Sequence, residues 1–332
     1  MATIEYIKTI GMISAGGRFT AGRGFLGPYG LAISNDERIY VLNRGGIRIS
    51  VCNFEEDWIG SFSGGPSMSE GQFFLPTDLT FDEDDRLYVT DEHQHRISMF
   101  DTEGEYIGAW GEFGDGKGQF NGPSSIAFDS KGDAYVVDQH NHRVQKMTRN
   151  GEYISHWGGL GSSRGLFNMP WGIDIDSNDY IYVADWRNDR IQKFDTDGKF
   201  VWEFGENGSR EGQFNRPADV AVDSGGYIYV ADWGNERVQL FDPEGSYQDL
   251  SNGQATGTKW TKEFFASNPD EADTRAVANM YPDLPGHLSD PYRTSSQTEP
   301  YFWEPVDIYL DKDDRLYVTE SRRHRFQVFH RK

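Results

Sequence analysis

Residues 217–241 read PADVAVDSGGYIYVADWGNERVQLF, and their alternation decides the fold. Asp219 to Asp223 alternates apolar and polar side chains, Ser224-Gly225-Gly226 supplies turn residues, Ile228 to Ala231 alternates again, and Arg237 to Phe241 forms a third run. A side-chain period of two marks each run as a short strand, and turn residues between runs make the whole an antiparallel meander. A fourth strand is legible in GEYIGAW at 104–110 and GEYISHW at 151–157, each ahead of a glycine-rich return. The same phrase starts at Pro28, Pro76, Pro123, Pro170, Pro217 and Pro305, with intervals of 47 or 48 residues until the last, which is 88. Four strands in about 47 residues, six times over, is a six-bladed β-propeller, all-β, with one long insertion before the last blade.

The sixth repeat stops at Lys332, directly after its third strand. Its missing strand is found at the other end, where Glu5 to Gly11 (EYIKTIG) matches Glu105 to Gly111 (EYIGAWG). The N-terminal strand is therefore expected to complete the last blade, pairing both chain ends by main-chain hydrogen bonds. The chain reads as a single domain over 1–332, with an insertion at 248–304.

Composition bounds the function. The 332 residues carry 53 Asp and Glu against 32 Lys and Arg, a net charge of −21. Such a balance opposes phosphate neutralisation and argues against nucleic acid as a partner. Cys52, the single cysteine, takes the place of Phe100 and Phe194 in other repeats and reads as a small buried side chain. No apolar run is long enough to span a membrane, and the first residues show no basic, apolar leader, so a cytoplasmic protein without membrane contact is expected.

The units resemble NHL repeats: Gly-Gln-Phe before the proline (71–73, 118–120, 212–214), Tyr-Val-x-Asp, and Arg-x-Gln-x-Phe-Asp recur together. The resemblance covers nearly all of the chain outside the insertion. It implies a propeller of a kind that serves RNA binders, protein-interaction modules and enzymes alike. The architecture is also similar to that of peptidyl-glycine amidating lyases. That family's zinc histidines would fall at Thr77, Trp171 and Val306, so its metal chemistry is not implied here. Asn43-Arg44-Gly45 resembles the segment bearing that family's catalytic arginine, and Asp307 matches its calcium aspartate.

Positions common to all blades serve packing. Phe25, Phe73, Phe120, Phe167, Phe214 and Phe302 each stand three before their proline and read as core between blades. Asp91, Asp138, Asp185 and Asp232 each stand five before an arginine and are expected to pair with it. Function should lie where the repeat is broken. Around the channel face the variable positions read Tyr29 and Trp171 after the proline, then Arg44, Trp186 and Trp233, and His93, His140, Arg187 and Arg322, in the loops after the second strands.

Guanidinium groups bind carboxylates bidentately, and a histidine exchanges protons near neutral pH. This reading assigns acid–base catalysis to His93 and His140 with Arg44. Arg187 and Arg322 hold an anion, while Tyr29, Trp171, Trp186 and Trp233 hold an apolar body. Asp78, Asp219 and Asp307 line the channel and suggest a structural calcium site, and a catalytic divalent ion at His93 and His140 is the weaker alternative.

Within the insertion, Asn268-Pro269-Asp270-Glu271 signals a helix start and Tyr281-Pro282 a stop, which predicts one helix of about a dozen residues. As a lid over the channel face it would exclude water. The sequence thus points to a lyase or hydrolase for a small carboxylate-bearing substrate. The alternative is a non-catalytic propeller that holds a protein partner.

Overall fold

The computed structural model describes residues 1–12 and 22–332. Six antiparallel sheets of four strands surround a central channel, each sheet a meander in chain order except the last. In the fifth blade Pro217–Val222 is innermost, followed outward by Ile228–Asp232, Arg237–Phe241 and Tyr247–Ser251. The middle strands are buried on both faces, as those of stacked blades must be: Ile39–Asn43, Leu87–Asp91, Ile181–Asp185 and Ile228–Asp232 are buried at every residue. The outer strands alternate, with Ile59, Ile107, Ile154 and Val201 exposed.

The ring closes as the repeat register requires. Ile4–Ile10 pairs with Arg325–Arg331 from Ile4 opposite Arg331 to Ile10 opposite Phe326. Thr3 and Lys332 exchange both main-chain hydrogen bonds at 3.1 and 3.0 Å. All six phenylalanines of the repeat are fully buried. Their fit explains the glycine at the end of the outermost strand in four of the blades, Gly11, Gly111, Gly158 and Gly205: a Cβ on Gly205, whose φ is +94°, would lie 2.4 Å from the Phe214 ring.

Three of the four expected aspartate–arginine pairs form, Asp138–Arg143 at 2.7 Å, Asp185–Arg190 at 2.9 Å and Asp232–Arg237 at 2.8 Å. In each, the carboxylate also accepts an asparagine and a glutamine amide. The second blade departs from this. Ser98 and Gln94 stand where the others have that glutamine and asparagine, and Asp91 accepts four backbone N–H groups instead. Arg96 turns to the carbonyls of Ser69 and Gln72.

The insertion differs most from expectation. In place of one helix of a dozen residues it holds three short ones, α1 (Lys259–Ser267), α2 (Pro269–Ala276) and α3 (Pro291–Gln297). The Asn268-Pro269 start is correct, but α2 ends at Ala276, well short of Tyr281. Thr258 caps α1 and Asp290 caps α3 through their side chains. Trp260 fixes α1: it is fully buried against Phe25 and Trp58, and its indole N–H reaches the Glu56 carbonyl. This part of the insertion is a clamp across the seam between the sixth and first blades.

Candidate functional site

Each loop after a second strand is pinned to the residues just before its blade's proline. The backbone N–H of Arg44 donates to Gly27, Glu92 to Leu75, His140 to Asn121 and Arg187 to Asn168, at 2.9 to 3.1 Å. These contacts set the side chains of neighbouring blades side by side on the channel face.

Three of them meet. Glu92 takes Arg44 Nη2 at 2.7 Å on one oxygen and lies 3.6 Å from His140 Nε2 on the other. The Arg44 guanidinium sits 4.5 Å over the Tyr29 ring, which is edge-on to Trp171 at 6.2 Å, and Arg44 Nη1 has no hydrogen-bond partner among the described residues. Gly122, with φ +69°, makes room for this cluster, since a Cβ there would be 2.6 Å from the His140 ring and 3.3 Å from Glu92. Burial pushes the Glu92 carboxyl up, but His140 and Arg44 outweigh it and leave it below the ordinary carboxylate range. Burial raises the Tyr29 hydroxyl despite Arg44, with Glu92 and Glu304 adding to the rise.

The remaining sequence candidates are placed apart from this cluster. His93 is exposed and stacked on Phe74 at 4.2 Å, and its ring has no hydrogen-bond partner among the described residues. Trp186 and Trp233 pack at 6.3 Å on blades four and five, with Arg187 and Arg216 stacked on Trp186 at 5.5 and 4.9 Å. Arg322 is paired with Glu304 at 3.0 Å, which neutralises it. Glu304 in turn donates its N–H to Glu236, whose carboxyl burial pushes up to about 8.

The channel aspartates are present where expected, and Asp78 and Asp219 join blades. Asp78 accepts Ser125 Oγ at 2.6 Å and the Ile126 N–H of the next blade, Asp219 accepts the Ile308 N–H at 2.9 Å, and Asp307 accepts Thr319 Oγ1 at 3.0 Å. Asp174, not singled out from the sequence, does the same for Val222 at 2.8 Å. Desolvation raises all four, Asp78 to about 6 and Asp174 to about 7, and mutual repulsion drives Asp219 and Asp307 higher. Each of these carboxyls is engaged by N–H or O–H donors of the blades. Among the described residues no group of three or more His, Cys, Asp or Glu side chains is gathered as a metal site.

A second set of latches escaped the sequence reading. His95, His142 and His324 each accept, on Nδ1, an N–H of the following blade, from Gly122, Met169 and Gly27 at 3.0 to 3.1 Å. Asp189 does so for Arg216 at 2.6 Å. All lie at φ of +53 to +55°, so they look like turn filler in the sequence.

Fold and rim together define a six-bladed β-propeller whose channel face carries an irregular, charged and aromatic cluster. The NHL repeat model matches residues 120–147, 167–194, 214–241 and 302–329, so four of the six blades carry NHL repeats. No curated protein matches it in sequence. Among solved structures it is similar to a Bacteroides thetaiotaomicron protein of unknown function, with TM-score 0.63 and 15% identity over 100% of this chain and 76% of that one. It is also similar to virginiamycin B lyase from Staphylococcus aureus, with TM-score 0.57 and 12% identity over 99% of both chains. A Xanthomonas campestris gluconolactonase aligns with TM-score 0.60 and 13% identity over 100% of this chain and 98% of that one. At these identities the likeness concerns the fold. Among the described residues no helix is long and apolar enough to cross a membrane.

Proposed function

We propose that the protein is a propeller enzyme, a lyase or hydrolase, acting on a small carboxylate-bearing molecule at the channel face. The observation that carries this reading is Glu92 lying between Arg44 and His140. A carboxylate facing His140 Nε2 favours the proton there and leaves Nδ1 as the base, the way an acidic residue orients a catalytic imidazole. Nδ1 has no protein partner among the described residues, and Arg44 Nη1 is likewise unclaimed. In this scheme Arg44 binds the substrate carboxylate or the charge that develops on it, His140 takes and returns the proton, and Trp171 and Tyr29 seat the apolar part.

His93 is assigned a peripheral place, as are Arg187, Trp186 and Trp233, which form a rim for larger substrates. The lyase and the gluconolactonase among the structural neighbours support a propeller enzyme without specifying its substrate. The non-catalytic alternative rests on the acidic surface and on exposed Phe74, Phe113 and Leu160, which a protein partner could cover. The two are separated by following proton release from a panel of lactones, esters and carboxylates with a β-leaving group. Turnover of any member above the uncatalysed rate supports the enzyme; failure of the whole panel favours the scaffold.

A further inference from the structure

The insertion borders a cavity. It lies between α1, α2 and the rim of blade six, has a volume of about 570 Å³, and is lined chiefly by apolar surface, including Met12, Phe264 and Phe265. That size lies within the range of small-molecule sites. Its polar lining comes from both sides, Thr261 and Arg275 from the helices and Arg322 to Arg325 from the blade. The Arg275–Glu299 ion pair, which ties α2 to the chain ahead of blade six, is internally neutral. Arg323 and His324 are not neutralised in this way.

Arg323 breaks the repeat. Blades three to five have asparagine at this position, Asn141, Asn188 and Asn235, whose amide is used twice over, on the return hairpin and on the blade's own aspartate. In blade six the longer arginine sends Nη2 to the carbonyls of Ser295 and Ser296 in α3, while its buried Nε has no partner. Among the described residues it makes no ion pair, and Nη1 has no hydrogen bond. His324 accepts the Gly27 N–H on Nδ1, so its proton is on Nε2, which also has no protein partner among the described residues. Two unclaimed donors from adjacent residues therefore border a cavity lined chiefly by apolar surface.

We propose that this cavity binds a small amphipathic carboxylate, its aromatic or aliphatic body against Phe264, Phe265 and Met12 and its carboxylate on Arg323 and His324 Nε2–H. A guanidinium and an imidazole N–H side by side suit the two oxygens of one carboxylate. The site is separate from the Arg44 cluster and stands whether or not that cluster is catalytic.

The test is titration calorimetry of the full chain with 2-naphthylacetate, indole-3-acetate and decanoate, beside the neutral 2-naphthylacetamide. At least one acid is expected to bind below millimolar Kd and the amide at least tenfold more weakly. Arg323→Gln should lose tenfold or more, and Phe264→Ser, at an exposed position, should also weaken binding, with circular dichroism to show that both variants fold. Arg44→Gln should leave the Arg323-dependent binding unchanged. The proposal is overturned if none of the acids binds, if the amide binds as well, or if Arg44→Gln abolishes binding while Phe264→Ser does not alter it.

Discussion

Single side chains decide how this ring responds to pH, and two kinds pull in opposite directions. Asp174 is raised to about 7 from an ordinary value near 3.9, so the folded state holds its proton more tightly than the unfolded chain does. Its stabilisation is full at acid pH and is lost as pH rises through about 7. Asp174→Asn keeps an acceptor for Val222 and removes the charge. Thermal melts are expected to show a gain of about 1–2 kcal/mol at pH 8, tempered by water in the channel, and little change at pH 4. His142 has the opposite sign: burial first, then His140 and Arg187, lower its pKa, so the Met169 latch is intact above the unfolded value near 6.5 and weakens as pH falls below it. Asp189 shows that a short acceptor serves at this position. His142→Asn should therefore lose less stability than the wild type between pH 7.5 and 5.5, by about 1 kcal/mol, in urea unfolding at the two values.

At the scale of elements, the propeller strands were legible because each blade repeats one pattern of alternation, and a strand read once is read six times. Arg44 and His140 were legible as rim residues for the same reason, since the loops after the second strands recur around the channel and those of successive blades must be neighbours. What could not be read was contact between elements that do not repeat. Nothing in the spacing of Trp260 tells that it fills the seam beside Phe25 and Trp58, because its partners lie some 200 residues away in a segment with no counterpart. The histidine latches were missed for a different reason, as an αL position in a polar loop hides an acceptor aimed at the next blade. Asp91 and Arg96 were read as a pair because the spacing allowed it, but Ser98 and Gln94 change the company the carboxylate keeps. Trp260→Ala should cost about 3–5 kcal/mol by chemical denaturation. A change near zero would mean that α1 is an ornament on the seam rather than part of it.

For the whole molecule, closure and site depend on each other, because the first-blade loop bearing Arg44 is pinned to Gly27, which donates its N–H to His324 of the sixth blade, and that blade is completed by the N-terminal strand. Deleting residues 1–10 removes the outer strand of the last blade and the Thr3–Lys332 pair. It is expected to lower Tm by more than any single latch substitution, and a deletion that melts like the full chain would refute the closure argument. The account as a whole rests on the Glu92-centred cluster being the reacting part of the channel face. The decisive measurement is the turnover, on whichever panel substrate is processed, of His140→Gln beside His93→Gln, with circular dichroism to show that both fold. Loss of at least a hundredfold in kcat for His140→Gln, with His93→Gln close to wild type, is the expected result. Equal activity in the two variants, or a loss confined to His93→Gln, would contradict it.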